Sequence, residues 1–143
     1  MFNKETEYAI RGLIYIQLQN DLNCIPSINE IALNIDAPQH FMAKILQKMV
    51  RQNFINSQKG KGGGFYFDKT KPSLPLLEII ILIEGDKKVN GCAYGLNKCD
   101  NNKPCPLHNQ YAPIREAISK LFSEETIQSL AAKSHVDFKR PNV

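Results

Sequence analysis

A chain of 143 residues is long enough for one compact domain, or for one small domain with an extended dimerisation element. It has no run of roughly 18 apolar residues and no apolar signal region after Met1, so we expect a cytoplasmic protein without a membrane partner. The net charge is +4, but the segment from Lys44 to Lys71 holds seven cations and one acid. This local surplus favours a polyanionic partner, although a merely solvated basic face has the same composition.

Apolar residues at helical spacing predict a first helix over residues 3–20. Ser27 and Glu30 have the spacing of a capping box, which predicts a short second helix that runs to about Asn34. Pro38 can occupy a first turn and opens a third helix that runs to about Gln52. Its predicted buried stripe is Phe41, Ile45, Leu46 and Met49. Two such helices joined by a tight link form a helix-turn-helix.

A basic hairpin is predicted directly after the third helix. Residues 54–58 have the composition of a strand, Phe65 to Phe67 form an aromatic return strand, and Lys59 to Gly64 form a glycine-rich turn with two lysines. A helix-turn-helix followed by a basic hairpin is typical of a winged helix. The alternative is a plain glycine hairpin whose lysines are incidental.

The second half is predicted to be mainly helical. Ser73 is expected to cap a helix over residues 73–84 that ends at Gly85, and residues 86–104 are expected to form a loop. A longer helix is predicted over 106–122, and Ser123 is expected to begin a last helix that ends near Lys133. The expected division is a winged helix-turn-helix domain at 1–72, a linker helix, cysteine loop and dimerisation helix at 73–133, and a disordered tail at 134–143. The predicted class is mainly α with a small β-hairpin wing.

Three clustered cysteines point to metal or redox chemistry. Their pattern is Cys-x6-Cys-x5-Cys-x2-His, from Cys92 through Cys99 and Cys105 to His108. Thiolates are the soft ligands that zinc and iron–sulfur clusters prefer, and these gaps are longer than those of a usual zinc pair. The spacing therefore favours a cluster over a single ion, with three unrelated thiols as the alternative. The isolated Cys24 is expected to be a small buried residue.

The fourth ligand of such a cluster has two candidates in the sequence. His108 stands close to the third cysteine, and Glu7 lies far away on the first helix. Each residue also has an interpretation without a metal. His108 would then be a histidine at the N-terminus of a helix, and Glu7 a solvated acid of the first helix. The sequence alone leaves the choice open.

Four segments together resemble the Rrf2 family of bacterial regulators, over the chain up to about residue 133. They are Glu7 to Leu13, Ser27 to Ala32, the wing from Gly60 to Phe65, and the cysteine trio. The resemblance implies a winged-helix domain and a long helix that crosses its partner's helix in a homodimer.

The family's branches differ in the sensor. The iron–sulfur biogenesis regulators use a two-iron cluster with a histidine at the position of His108. The nitric-oxide sensors use a four-iron cluster with a partner's acidic residue at the position of Glu7. A cysteine-metabolism repressor lacks the cluster. The first cysteine gap here is one residue longer than the cluster-binding branches imply.

We therefore expect a repressor, not an enzyme, that senses iron–sulfur status, redox state or nitric oxide. A cluster-free thiol or zinc-dependent regulator is the alternative, and a small metalloenzyme is disfavoured because no Ser-His-acid set or paired carboxylates are evident. A homodimer should read an inverted repeat of double-stranded DNA, with the third helix in a major groove and the wing in a neighbouring minor groove. The candidate DNA contacts are Ser27, Gln39, His40, Phe41, Lys44, Lys48, Lys59, Gly60, Lys61, Gly62 and Gly63.

Overall fold

The computed structural model describes residues 1–97 and 100–134. Its elements are α1 (Lys4–Asp21), α2 (Ile28–Ile35), α3 (Gln39–Arg51), β1 (Asn56–Gln58), β2 (Gly64–Tyr66), α4 (Leu76–Glu84), α5 (Lys87–Asn90), α6 (His108–Glu124) and α7 (Ile127–Lys133). None of the helices in these ranges is long and apolar enough to span a membrane. The predicted class, mainly helical with one antiparallel hairpin, is confirmed.

Helices α1, α2 and α3 share one apolar core. The side chain of Asn3 accepts a hydrogen bond from Thr6 N and begins α1. Ser27 accepts one from Glu30 N and begins α2, which is the Ser27 half of the predicted capping box. The third-helix stripe is corrected at one position, because Met42 is fully buried whereas Phe41 is half-buried against α1. Gly12 allows this packing, since a Cβ there would lie 2.8 Å from Met42 Cε.

The wing is fixed to the end of α1 and to the loop between α1 and α2. Strands β1 and β2 pair with Asn56 opposite Tyr66 and Gln58 opposite Gly64. Phe65 N donates a hydrogen bond of 3.0 Å to Pro26 O, and Phe67 N donates one of 2.9 Å to the side chain of Asn20. These bonds hold the hairpin at a set angle to the helix-turn-helix.

The start of α4 differs from the prediction. Ser73 does not cap this helix; Pro75 is the N-cap and the helix begins at Leu76. The cause is a tertiary bridge: Pro75 pairs with Thr126, and Ile127 N donates a hydrogen bond of 2.9 Å to Leu74 O. The chain therefore stays extended through residues 74–75 before it turns into helix, and Gly85 ends α4 as predicted.

Two further corrections concern the end of the chain. Residues 86–104 were expected to be a loop, but Lys87–Asn90 form the short helix α5. Ser123 lies within α6 and does not begin the last helix, since Thr126 caps α7 in a reciprocal capping box with Ser129. Of the expected disordered tail at 134–143, Ser134 is the C-cap of α7, and residues 135–143 lie outside the described residues.

Helices α6 and α7 pack on different parts of the core. Helix α6 lies against α4 and α5, and Phe122 meets Phe2 edge to face at 5.3 Å. Helix α7 packs on α1 and buries Ile127 and Ala131. The last described helix thus contributes to the same core as the first.

Candidate nucleic-acid interface and metal centre

Helix α3 presents one stripe of exposed side chains at helical spacing. The stripe consists of His40, Lys44, Gln47 and Arg51. The sequence analysis selected His40 and Lys44 but missed Gln47 and Arg51, although their spacing from Lys44 was a signal for the same face. Gln39 is also exposed, whereas Phe41 packs on Tyr8 with ring centroids 5.8 Å apart.

Lys48 lies to one side of this stripe and is already paired. Its Nζ is 2.6 Å from Glu5 Oε1 on α1, and the two side chains are 34% and 29% exposed. The structure therefore brings this expected DNA contact to a carboxylate of the protein itself.

The tip of the wing carries its two lysines in the open. Lys59 and Lys61 are both exposed, and Gly60 and Gly62 between and beside them have φ angles of +95° and +78°. Gly63 cannot carry a side chain, because a Cβ there would lie 2.1 Å from Gln58 O. The glycines thus permit a tight turn that presents both cations.

A cleft of about 510 Å³ separates α3 from the wing. It is lined by Ser27, Ile28, Gln47, Val50, Arg51, Ser57, Gln58, Lys59, Gly60, Gly63, Gly64 and Phe65. None of these described lining residues is acidic, while Arg51 and Lys59 are cationic. An anionic partner can enter the cleft without meeting a carboxylate on its walls.

Cys92 and Cys105 come together although a long loop separates them. Their Sγ atoms lie 3.6 Å apart. Backbone N–H groups of Leu96, Tyr94 and Gly95 donate to the Cys92 sulfur and, with the nearby Cys105, hold the pKa of the Cys92 thiol below its ordinary value against the opposing effect of desolvation. The loop therefore favours a thiolate at Cys92, which is the form that binds metals. Cys99 lies outside the described residues.

The two candidates for a fourth ligand occupy different surroundings. His108 is the first residue of α6 and is 9% exposed, with its Nε2 2.7 Å from Asn101 Oδ1. Glu7 is on α1, where its side chain is 36% exposed and its Oε2 lies 3.4 Å from Lys4 Nζ. Across residues 1–97 and 100–134, no three Cys, His, Asp or Glu side chains form a metal-binding group.

The geometry of the thiol pair fits two ligands of the same metal, as at a zinc ion or at one iron of a two-iron cluster, whereas each iron of a four-iron cluster takes one cysteine. Two thiolates on one tetrahedral metal, each at about 2.3 Å, are about 3.8 Å apart. The observed 3.6 Å between Cys92 Sγ and Cys105 Sγ is close to this separation. Hydrogen bonds to a ligating sulfur are also a usual means of tuning such a centre.

Cys24, which was expected to be buried, is exposed and lies on the α1–α2 loop.

Comparisons with known proteins identify the family and support the fold. A family model described as Rrf2, iron-dependent transcriptional regulator, matches residues 2–133. The HTH-type transcriptional regulator NsrR of Oceanobacillus iheyensis is 26% identical over 128 residues, which are 89% of this chain and 86% of that protein.

Two solved structures share the fold. CymR, the global cysteine regulator of B. subtilis, superposes with a TM-score of 0.76 at 16% identity and covers 94% of this chain and 98% of its own. IscR of T. potens superposes with a TM-score of 0.71 at 12% identity over 93% of this chain and 87% of its own. The winged-helix prediction is confirmed, and because the family model spans nearly the whole chain, this protein belongs to the Rrf2 family of DNA-binding transcription regulators, which are not enzymes.

Proposed function

We propose that this regulator holds an iron–sulfur cluster through Cys92, Cys99 and Cys105 and that the cluster is its sensor of iron–sulfur status, redox state or nitric oxide. The observation that carries the proposal is the 3.6 Å approach of the Cys92 and Cys105 sulfurs within a loop whose backbone amides point at one of them. When bound, the cluster would supply the chemistry that responds to oxidants or nitric oxide. The protein supplies thiolates, hydrogen bonds to them, and a scaffold that couples the loop to α6.

For the fourth ligand we favour Glu7 of a second subunit over His108 of the same chain. Glu7 is partly exposed, and within the described part of the chain its carboxylate pairs with the exposed Lys4 alone, so it can give up this weak surface ion pair at little cost in free energy. A ligand from the other subunit would couple the state of the cluster to the geometry of the dimer. His108 is the competing candidate because it stands three residues after Cys105 and donates its backbone N–H to Cys105 O.

The regulated activity is repression by a homodimer on an inverted repeat. Helix α6 leaves Ile114 and Leu121 exposed on one face, which suits a two-fold contact with a second copy. The cysteine loop leads directly into α6, and α6 packs on α4 and α5. A change in the loop would move α6 and hence alter the spacing of the two recognition helices.

The test is the anaerobically isolated protein itself. We expect visible absorption, a Mössbauer signature of a two-iron or four-iron cluster, and loss of operator affinity when the cluster is nitrosylated or oxidised. A colourless protein without iron that still represses would contradict the proposal.

A cluster-free regulator of the same fold is the second candidate. Two thiols 3.6 Å apart can also share a zinc ion, or give up two protons and two electrons to a peroxide and close into a disulfide after a small movement. Stoichiometric zinc, or DNA affinity that follows formation of a Cys92–Cys105 disulfide in iron-free protein, would favour this candidate.

A further inference from the structure

We infer that the sugar–phosphate backbone of duplex DNA lies in the cleft between α3 and the wing, and that Arg51 and Gln47, not Lys48, are the residues of α3 that bind it. The inference rests on DNA binding by this lobe, which the family establishes, and assigns the contacts within it.

Helix α3 directs four polar side chains to one exposed face. His40, Lys44, Gln47 and Arg51 follow one another at intervals of four, three and four residues and therefore lie on one face. All four are exposed. No hydrogen bond or ion pair joins Arg51 to another residue that the structure describes. Its guanidinium is thus available, and its planar set of donors matches a phosphate.

The cleft combines apolar and cationic side chains. Half-buried apolar side chains of Ile28, Val50 and Phe65 form its floor, while Arg51 and Lys59 stand on opposite sides. A DNA strand complements both properties, because the deoxyribose offers apolar C–H groups and the phosphate carries negative charge. A strand that passes from the major groove to the minor groove must cross between the recognition helix and the wing, which is where the cleft lies.

Lys48 is bound to another part of the protein and does not face the cleft. Its ammonium group lies 2.6 Å from the Glu5 carboxylate and is directed toward α1. To bind a phosphate, Lys48 would have to leave this partner. Lys48 therefore adds no net cation to the surface that faces DNA.

The experiment measures how binding depends on salt. A fluorescent duplex of about 30 base pairs and mixed sequence is titrated with the full chain at roughly 50 to 200 mM salt, and the slope of log K against log salt is compared between variants. We expect Arg51→Ala to lower the magnitude of the slope by about 0.9 per bound subunit. Gln47→Ala should weaken binding without changing the slope. Lys48→Ala should leave the slope unchanged, as should the control Lys120→Ala on α6.

Two results would overturn the inference: a slope that is unchanged in Arg51→Ala, or a Lys48→Ala slope that falls as far as that of Arg51→Ala. If Arg51→Ala fails to fold, Arg51→Gln replaces it, and a melting temperature equal to that of the wild type shows that this variant is folded. If the wild-type chain binds no duplex at all, the DNA-binding function itself fails, and that result is distinct from both of the others.

Discussion

The Sγ atoms of Cys92 and Cys105 lie 3.6 Å apart, although the residues are 13 positions apart in the chain. We expect Cys92→Ser and Cys105→Ser, and likewise Cys99→Ser, each to abolish cluster assembly, because loss of one thiolate opens an iron site to water and oxygen. The measurement is visible absorption and iron content after anaerobic reconstitution. Cys24→Ser is the matched control, since Cys24 is exposed on the α1–α2 loop. Full iron content in Cys105→Ser would contradict the ligand assignment.

The variants Glu7→Ala and His108→Ala distinguish between the two candidates for the fourth ligand. A carboxylate or an imidazole binds iron less softly than a thiolate does, so loss of the true ligand should change the spectrum and increase the lability of the cluster. We expect this effect in Glu7→Ala. If only His108→Ala shows it, Glu7 is not the ligand. If neither variant shows it, the fourth position is filled by another group.

The wing is tested by Lys59→Ala combined with Lys61→Ala. Both lysines are exposed at the tip, so their loss should weaken binding to every sequence and lower the magnitude of the salt slope by about two units per subunit, roughly one for each lost phosphate contact. Salt-dependent fluorescence anisotropy on specific and mixed DNA is the measurement. An unchanged slope would remove the wing from the interface.

Dimerisation is tested on the exposed face of α6. Ile114 and Leu121 are 56% and 53% exposed, whereas Ile118 is half-buried. The double variant Ile114→Asp, Leu121→Asp would place unpaired charge in a dimer interface at a cost of several kcal/mol, so monomers should result. Ser123→Asp, on an exposed position of the same helix, is the control. A double variant that sediments as a dimer would show that another surface is used.

The anchoring of the wing is tested by Gly64→Ala. A Cβ at Gly64 would lie 2.2 Å from Pro26 O and 2.8 Å from Ile25 O, and because both oxygens belong to the main chain, the hairpin must move. We expect a loss of about 1–3 kcal/mol in the free energy of unfolding, with weaker DNA binding. Urea unfolding measures the first quantity. Ser57→Ala, an exposed position of the facing strand, should change it by less than about 0.5 kcal/mol.

Local signals explain what the sequence predicts well. The caps at Ser27 and Gly85 and the spacing of Ile45, Leu46 and Met49 act within a few residues, and the structure agrees with them. The glycine-rich turn between two short strands is local in the same sense.

The predictions that the structure corrects failed because of contacts between segments that are distant in the sequence. Ser73 has the composition of a helix cap, but the Pro75–Thr126 bridge keeps the chain extended past it. Lys48 was expected at the DNA because of its charge, and its pairing with Glu5, 43 residues away, is invisible in a local pattern. Phe41 and Met42 exchange roles because α1 meets α3 at Gly12. The Thr126 cap, by contrast, had a readable spacing to Ser129.

The packing of α7 on α1 has a consequence for folding during synthesis. Gln128 Nε2 donates to Gln17 Oε1 across 111 residues, and Ile127 and Ala131 are buried in the core that α1 opens. A ribosome releases α1 well before α7, so the nascent helix-turn-helix exposes part of its apolar surface until α7 has been made. Such long-range closure raises contact order and slows folding. Chaperone occupancy of the growing chain should therefore persist until residues near 133 have emerged.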